Sequence, residues 1–452
     1  MTEKIPSVVI AGAGSGSGKT TICCALLAAL KARGIRLSAF KCGPDYIDPM
    51  FHEKALGIPS KNLDSFFCRD KLLKYLYIKQ AEKSSLALIE GVMGYYDGLA
   101  MDSTAASTYN TAKILGSPVV LVINAKGMAH TVLAIIKGIA DYTADSNIKA
   151  VIFNNISRGV YLSLKPVIES ELNIKVIGYM PYSEDNSIDS RHLGLVTPEG
   201  IVDIREKIDR LGKLAEECID LDELIEIADT SAKITTDYMP ATYKKSNITI
   251  AVAKDEVFCF YYKDNIELLG EMGCKIEYFS PLRDKHIPEN ADGIILGGGY
   301  PELYCSKLSG NHSMLCDIKA KLEGGMPALA ECGGFMYLHK KVEDRDKNSF
   351  DMVGIINANA FYTGRLVRFG YITLTDTSGK SIKAHEFHYW DSTQNGSEYT
   401  AVKPNGKSWE CMVKYKNIIC GYPHLFYYSN PDFAANFVKR CEEYKESRKC
   451  SV

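Results

Sequence analysis

Ala11-Gly12-Ala13-Gly14-Ser15-Gly16-Ser17-Gly18-Lys19-Thr20-Thr21 decides how this chain is read. The stretch follows an apolar run of strand character, Ser7–Ala13, and opens a helical segment, Thr20–Arg33. Strand, small-residue loop, Gly-Lys-Thr and helix, in that order, form the setting of a phosphate-binding loop. Small residues let successive backbone N–H groups curl around phosphate oxygens, and the helix N-terminus adds partial positive charge. Gly14, Ser15, Gly16, Ser17, Gly18, Lys19, Thr20 and Thr21 are therefore the expected nucleotide-binding residues. Lys19 is expected to neutralise the β- and γ-phosphates, and Thr20 to offer its hydroxyl to Mg²⁺. The strict pattern has glycine where Ala13 stands, a small departure. A ligand-free glycine-rich turn is the bland alternative, and the strand before and helix after weigh heavily against it.

Working outward, the first half alternates short apolar runs with helical stretches. Strands are expected at Leu37–Lys41, Leu86–Gly91, Val119–Ala125, Ala150–Asn154 and Val176–Met180, and helices at Asp70–Lys83 and Met128–Asp141. The runs are continuous rather than alternating, as in parallel strands covered by helices on both faces. The pattern breaks between Asp229 and Asn247, which reads as a linker, and a second βα series starts at Ile248–Ala253. Further strands are expected at Lys275–Phe279, Gly293–Leu296 and Ala328–Glu331, whereas Phe369–Thr375 and Ile382–Trp390 alternate and look antiparallel. The fold class is α/β, with two tandem domains over residues 1–235 and 247–452.

Two acidic clusters lie where strands of the first domain should end: Lys41-Cys42-Gly43-Pro44-Asp45-Tyr46-Ile47-Asp48-Pro49 and Glu90-Gly91-Val92-Met93-Gly94-Tyr95-Tyr96-Asp97-Gly98. Ligands of open parallel sheets bind beyond the carboxyl ends of the strands. Carboxylates placed there can hold Mg²⁺ between a substrate and the γ-phosphate. Pro-Asp and Asp-Gly are also ordinary turn formers. Beside a phosphate loop, two such clusters favour function. Thr20, Asp45 and Glu90 are the expected metal ligands, with Asp48 and Asp97 further out on turns.

The second domain contains Gly297-Gly298-Gly299-Tyr300-Pro301-Glu302 and, roughly thirty residues on, Ala330-Glu331-Cys332-Gly333-Gly334-Phe335. A cysteine at a sharp strand-to-helix turn needs glycine neighbours for its backbone angles. The helix N-terminus beneath Cys332 is expected to lower the thiol pKa. The N–H of Gly333, with one from Gly298 or Gly299, is positioned in sequence to face a developing oxyanion. Four histidines follow, at 339, 385, 388 and 424, and spacing alone does not choose the base among them.

Composition sets the frame. The chain has 452 residues, 46% apolar and 24% charged, with a net charge of −2, which argues against nucleic acid or an anionic membrane as partner. Its start lacks the pattern of a secretory signal, and no stretch nears the roughly 20 apolar residues of a membrane span. The fourteen cysteines are scattered, without zinc spacing. A cytoplasmic protein with reduced thiols is expected.

Taken together, these motifs and Asn62-Leu63-Asp64 and His385-Glu386-Phe387-His388-Tyr389 make the chain similar to the cobyrinic acid a,c-diamide synthase family over nearly its whole length. The resemblance implies an N-terminal domain like dethiobiotin synthetase and a C-terminal class I glutamine amidotransferase domain. It implies a ligase that amidates the a and c acetates of a corrin with ATP and glutamine, through acyl phosphates. It assigns Cys332 as nucleophile and His424 as its partner. Asp48 and Asp97, by their position on outer turns, are expected closer to the substrate, and Lys41 and Tyr46 are further expected substrate-binding residues. Class I glutaminases usually carry glutamate two residues after that histidine, where this chain has Phe426, so the group orienting His424 is left open. The implied partners are a tetrapyrrole (corrin), ATP and glutamine, with a homodimer as the assembly entertained.

Rival readings keep the chemistry and change the ring, to hydrogenobyrinate or nickel-sirohydrochlorin. Cobyric acid synthase ranks lower, because its substrate loop differs from Lys41–Pro49. A non-catalytic partitioning ATPase is disfavoured by Gly14, where such proteins carry an extra lysine, and by the intact Cys332-Gly333-Gly334 turn.

Overall fold

In the computed structural model, which describes residues 1–183 and 198–450, the chain divides into two compact units, Met1–Met239 and Pro240–Val452. The first is built on a seven-stranded sheet. Its spatial order is Ser60–Leu63, Leu37–Cys42, Leu86–Glu90, Ser7–Gly12, Val119–Asn124, Ile148–Asn154, Lys175–Met180. Every neighbouring pair is parallel. Such a sheet is buried on both faces, which explains runs as uniformly apolar as Val8-Val9-Ile10 and Val119–Ile123.

The expected strands of this unit lie within a residue or two of the observed ones. Ser60–Leu63 was not anticipated, because Lys61 and Asn62 interrupt any apolar run. Nor was the helix Ile47–Leu56. Gly43-Pro44-Asp45 reads as a turn, yet Pro49 stands in the helix's first turn, where its missing N–H leaves no intrahelical bond unmade.

One face of the sheet is covered by the helix Lys19–Ala32, against which the helix Pro198–Cys218 packs closely. Leu26, Leu30, Leu211 and Ala215 share one buried cluster there. The contact is tight: a Cβ on Gly212 would lie 2.9 Å from the Ala28 methyl and 3.3 Å from the Ala29 nitrogen.

The expected linker is shorter than Asp229–Asn247. Ile234–Thr235 pairs antiparallel with Thr2–Glu3, and Ser231 donates to the Ile5 carbonyl, so both segments belong to the first unit.

The second unit has a six-stranded sheet in the order Lys275–Phe279, Thr249–Ala253, Gly293–Leu296, Ala328–Glu331, Ile418–Gly421, Val413–Tyr415. Only the last strand is antiparallel to its neighbour. A five-stranded antiparallel sheet includes Arg368–Asp376, Ser381–His388 and His424–Leu425. The alternating stretch expected over Ile382–Trp390 breaks at Tyr389, and Trp390–Ser392 joins a different sheet, paired with Ile356–Tyr362. No helix among the described residues is long and apolar enough to cross a membrane, and the thirteen cysteines from Cys23 to Cys441 are free.

Gly212→Leu should destabilise the first unit by about 1–3 kcal/mol, since the added side chain has no room against Ala28. Urea denaturation checks this, and an unchanged midpoint would refute the close helix contact.

Candidate active sites

Strands of the first unit deliver their polar residues at neighbouring carboxyl ends. Lys41 and Glu90 are direct partners in parallel register, and Glu90 also pairs with Ile10, just ahead of the phosphate loop. The loop needs an unusual backbone at Gly18, with φ 92°, where a Cβ would lie 2.0 Å from the Asn154 amide nitrogen. Asn154 in turn donates to the Ser17 carbonyl at 3.1 Å. Ser17 Oγ closes the loop from inside, donating to the Gly14 carbonyl at 2.7 Å. Ala13, Ser15 and Gly16 stay exposed at the tip, where a phosphate would arrive.

Lys19 lies folded back, donating to the Met93 carbonyl at 2.6 Å and to the Gly14 carbonyl at 3.3 Å. Burial, then the Lys41 cation, holds its ammonium below the usual lysine range. Thr20 Oγ1 donates to Glu90 Oε1 at 2.6 Å. The same oxygen accepts from Lys41 Nζ at 2.8 Å, and Lys41 also meets Asp48 Oδ2 at 2.6 Å. His52 lies 3.6 Å from Glu90 Oε2.

This buried cluster corrects one expectation. Asp48 does not stand out on a turn. The helix Ile47–Leu56 returns it to Lys41, and it is only 2% exposed. Asp45 is engaged as a helix-capping group, its Oδ1 accepting from the N–H groups of Ile47 at 2.8 Å and Asp48 at 3.3 Å. Tyr46 is buried just ahead of that helix. Asp97 is exposed, and its Oδ2 accepts from the Gly94 N–H at 2.7 Å, closing the turn of its loop.

Asn154, His52 and Asn62 are contributors not singled out as site residues from sequence. Asn62 donates to the carbonyls of Gly43 and Asp45, holding the loop before the helix. A polar residue closing an otherwise apolar strand, as Asn154 does, was the available signal.

Whether a divalent cation fits can be judged from oxygens left over. Asp48 Oδ1 and Glu90 Oε2 are buried with no N–H or hydroxyl donor, and the two carboxyl groups lie against each other. They are hard carboxylate donors beside the Thr20 hydroxyl, which suits Mg²⁺, an ion commonly held by one or two carboxylates together with phosphate and water.

In the second unit, Cys332 sits between the strand Ala328–Glu331 and the helix Gly333–Leu338, with φ 48° and ψ −103°. A non-glycine residue in that region is strained, and such strain collects at functional turns. The turn is fixed by the Cys332 N–H, which donates to the Gly421 carbonyl at 2.7 Å. The next strand, Ile418–Gly421, pairs in parallel with Ala328–Glu331 and leads three residues on to His424. Cys332 and His424 thus leave adjacent strands at the same edge.

Gly298 and Gly299 lie against both residues' neighbourhoods. A Cβ on Gly298 would be 2.3 Å from His424 Cε1, and one on Gly333 would be 3.1 Å from the Gly299 nitrogen. Gly299 has φ 152°, and its own Cβ would collide with the Val257 carbonyl at 1.6 Å, so only glycine fits. The other histidines are engaged elsewhere. His339 bridges the Phe335 carbonyl and Ser392 Oγ, each at 2.7 Å. His388 stacks on Tyr422 at 3.9 Å with its Nδ1 2.6 Å from the Trp390 carbonyl oxygen. His385 is buried between Phe369 and Tyr371, though it pairs across strands with His424.

The expected acidic shift of the Cys332 thiol is overturned. Burial, then Glu302, pushes it well up, and the Gly333 N–H that faces the sulfur offsets only part of this. A one-turn helix beneath the thiol does not outweigh loss of solvent. Burial likewise pushes the His424 imidazole down to about 3.

A nucleotide-binding domain and a glutamine amidotransferase domain in one chain mark a carbon–nitrogen ligase of the glutamine amidotransferase kind. Residues 8–196 match the CobQ/CobB/MinD/ParA nucleotide binding domain, and residues 249–432 match the CobB/CobQ-like glutamine amidotransferase domain. A protein of Clostridium acetobutylicum named cobyrinate a,c-diamide synthase is 41% identical over 96% of this chain and 100% of its own length. Proteins of the same name from Caldanaerobacter subterraneus subsp. tengcongensis and Picrophilus torridus are 38% and 39% identical, each over at least 96% of this chain and 98% of their own. The chain belongs to the cobyrinate a,c-diamide synthase family.

Lys41→Met should destabilise the first unit by about 3–5 kcal/mol near pH 8, because Asp48 and Glu90 would lose their buried counter-charge. Burial, then Asp48, already pushes Glu90 up to about 7. Below that pH Glu90 takes up a proton and the deficit should shrink. Urea denaturation at pH 8 and pH 5.5 reads both, and an equal deficit at the two values would contradict the assignment.

Proposed function

We propose that this chain amidates the a and c acetate carboxylates of cobyrinic acid, using ATP and glutamine, in the cytoplasm. The observation that carries the reading is the pairing of a phosphate loop with buried carboxylates in one unit and the strained Cys332 turn beside His424 in the other. Relatives of nearly equal length supply the substrate class by their name.

A carboxylate is a poor acceptor for nitrogen, and phosphorylation by ATP converts it to an acyl phosphate with a good leaving group. Gly14 to Thr21 would hold the triphosphate, Lys19 turning from the Met93 carbonyl onto the β- and γ-phosphates. Thr20, Glu90 and Asp48 would hold Mg²⁺, which offsets phosphate charge when bound. Asp48 replaces Asp45 in that set because its free oxygen is buried at the cluster, whereas Asp45 caps a helix. Lys41 and Tyr46 are assigned to the substrate end of the same strand-to-helix segment, and Asp97 to the exposed turn nearest arriving solute.

The nitrogen comes from glutamine. Cys332 attacks its carboxamide carbon, the N–H groups of Gly299 and Gly333 and the Gly298 backbone bracket the oxyanion, and His424 carries the proton. The product must reach the acyl phosphate as NH₃, since ammonium has no lone pair to attack with.

Cys332→Ala should abolish glutamine-dependent amidation while ammonia-dependent amidation continues. Product mass spectrometry with each nitrogen source tests this, and equal loss with both, in a folded variant, would overturn the division of labour. Lys19→Ala should slow ADP formation by about 10²–10³-fold with either nitrogen source. An unchanged rate would refute the role of the phosphate loop.

A further inference from the structure

The residue two places after His424, where class I glutaminases usually carry their orienting glutamate, is Phe426. Its ring is buried edge-on against Tyr262, with centroids 5.5 Å apart, and offers no acceptor. Imidazole acting as a base still needs its tautomer fixed. The nitrogen that receives the thiol proton must present a lone pair, so the other must carry hydrogen and have somewhere to donate it.

One carboxyl group stands at that other nitrogen. Glu331 Oε2 lies 3.8 Å from His424 Nδ1. Glu331 is the last residue of the strand Ala328–Glu331, directly before Cys332, and pairs in register with Gly421 on the strand that leads to His424. It is 7% exposed. The Leu425 N–H and the Tyr427 hydroxyl act as donors to its carboxyl group. Both donors come from the segment that carries His424, so the carboxyl group is tied to the element it would orient. The separation is longer than a hydrogen bond, as catalytic contacts often are before substrate binds.

We propose that Glu331 is the positioning residue of the glutaminase, accepting a hydrogen bond from the Nδ1–H of His424 and so leaving the Nε2 lone pair to take the Cys332 proton. The inference rests on the reading of Cys332 and His424 as the glutaminase pair. In the first step the thiol proton passes to Nε2 and sulfur bonds to the carboxamide carbon of glutamine. As the carbon–nitrogen bond breaks, that proton leaves on ammonia, and the thioester remains for water to hydrolyse. Glu331 changes no bond. Its charge stabilises the imidazolium that exists between the two transfers. The position one before the nucleophile thus supplies what the position two after the histidine lacks.

Other groups face this pair. His385 and His388 both act to keep His424 neutral. Tyr261 and Tyr427 lie beside Glu331, while Glu302 and Glu386 act on Cys332. Among the groups around the pair, Glu331 stands 3.8 Å from His424 Nδ1.

The test uses the full chain with Glu331→Gln, Glu331→Asp and Cys332→Ala. Glutaminase kcat and KM are measured across pH, with ammonia-dependent amidation as the check on folding. Glu331→Gln should lower kcat by about 10²–10⁴-fold, the range of a lost acid–base partner, with KM for glutamine changed by less than about threefold. Glu331→Asp should restore part of the loss. Burial pushes Glu331 up to about 8, so its carboxylate form is fully present only above that pH, and the loss of kcat in Glu331→Gln should be largest there and shrink as pH falls below it. A kcat within about threefold of the parent would overturn the proposal. So would a loss shared equally by ammonia-dependent turnover and unchanged across pH, the signature of a structural role. Glutaminase activity surviving in Cys332→Ala would instead sink the underlying assignment of the pair.

Discussion

The first unit depends on one buried cation. Lys41 stands at the carboxyl end of its strand, with Glu90 beside it on the neighbouring strand and Asp48 returned to it by a helix. Two carboxylates in a water-poor site repel each other and lose solvation, and a cation at 2.6 and 2.8 Å outweighs these costs at Asp48 and offsets them in part at Glu90, which burial and Asp48 still push up to about 7. The arrangement fixes more than charge. Thr20 is tethered through Glu90, so the helix that follows the phosphate loop is held to the adjacent strand. The loop after Glu90 then curls back far enough for the Met93 carbonyl to receive Lys19. Nucleotide loop, acidic cluster and the candidate substrate segment are therefore one hydrogen-bonded assembly.

How much of this was legible follows from what kind of signal each element carries. The phosphate loop and the buried parallel strands announce themselves by composition, because glycine and uninterrupted β-branched runs have few other uses. Cys332 was legible from its glycine neighbours, and its φ of 48° is the strain those neighbours accommodate. The helix Ile47–Leu56 was hidden, since Gly43, Pro44 and Asp45 carry turn chemistry and the helix starts directly after them. With that helix unseen, Asp48 was assigned to an outer turn instead of the buried pair with Lys41. The structure also reverses the local argument about the thiol. A helix N-terminus is visible in sequence, whereas depth of burial is a property of packed layers distant along the chain.

Glu331 shows the same limit from the other side. In sequence it is one more residue beside a cysteine, and Phe426 marks an apparent gap in the glutaminase pattern. Only the parallel pairing of Ala328–Glu331 with Ile418–Gly421 sets the two segments side by side. Once they are adjacent, a carboxyl group on one strand can serve a histidine that follows the other. Sequence spacing is therefore a poor guide to which acid assists which base, and strand register is a better one.

The two units handle buried ionisable groups in opposite ways. In the first, charge is retained by pairing: Asp48 is held below the usual carboxylate range by Lys41 against the pull of burial, and Lys41 is held above its own range by Asp48 and Glu90. In the second, burial keeps the groups neutral: the Cys332 thiol is pushed up, His424 down to about 3, and Glu331 up to about 8. The difference matches the chemistry proposed for each site. Phosphoryl transfer brings its charge in with the nucleotide, so ionised partners must already be waiting. Thioester formation creates charge only as the proton moves, and a site that starts neutral develops its ion pair together with the oxyanion. In the proposed mechanism, stabilisation by Gly299, Gly333 and the carboxyl group of Glu331 is then concentrated where that charge appears.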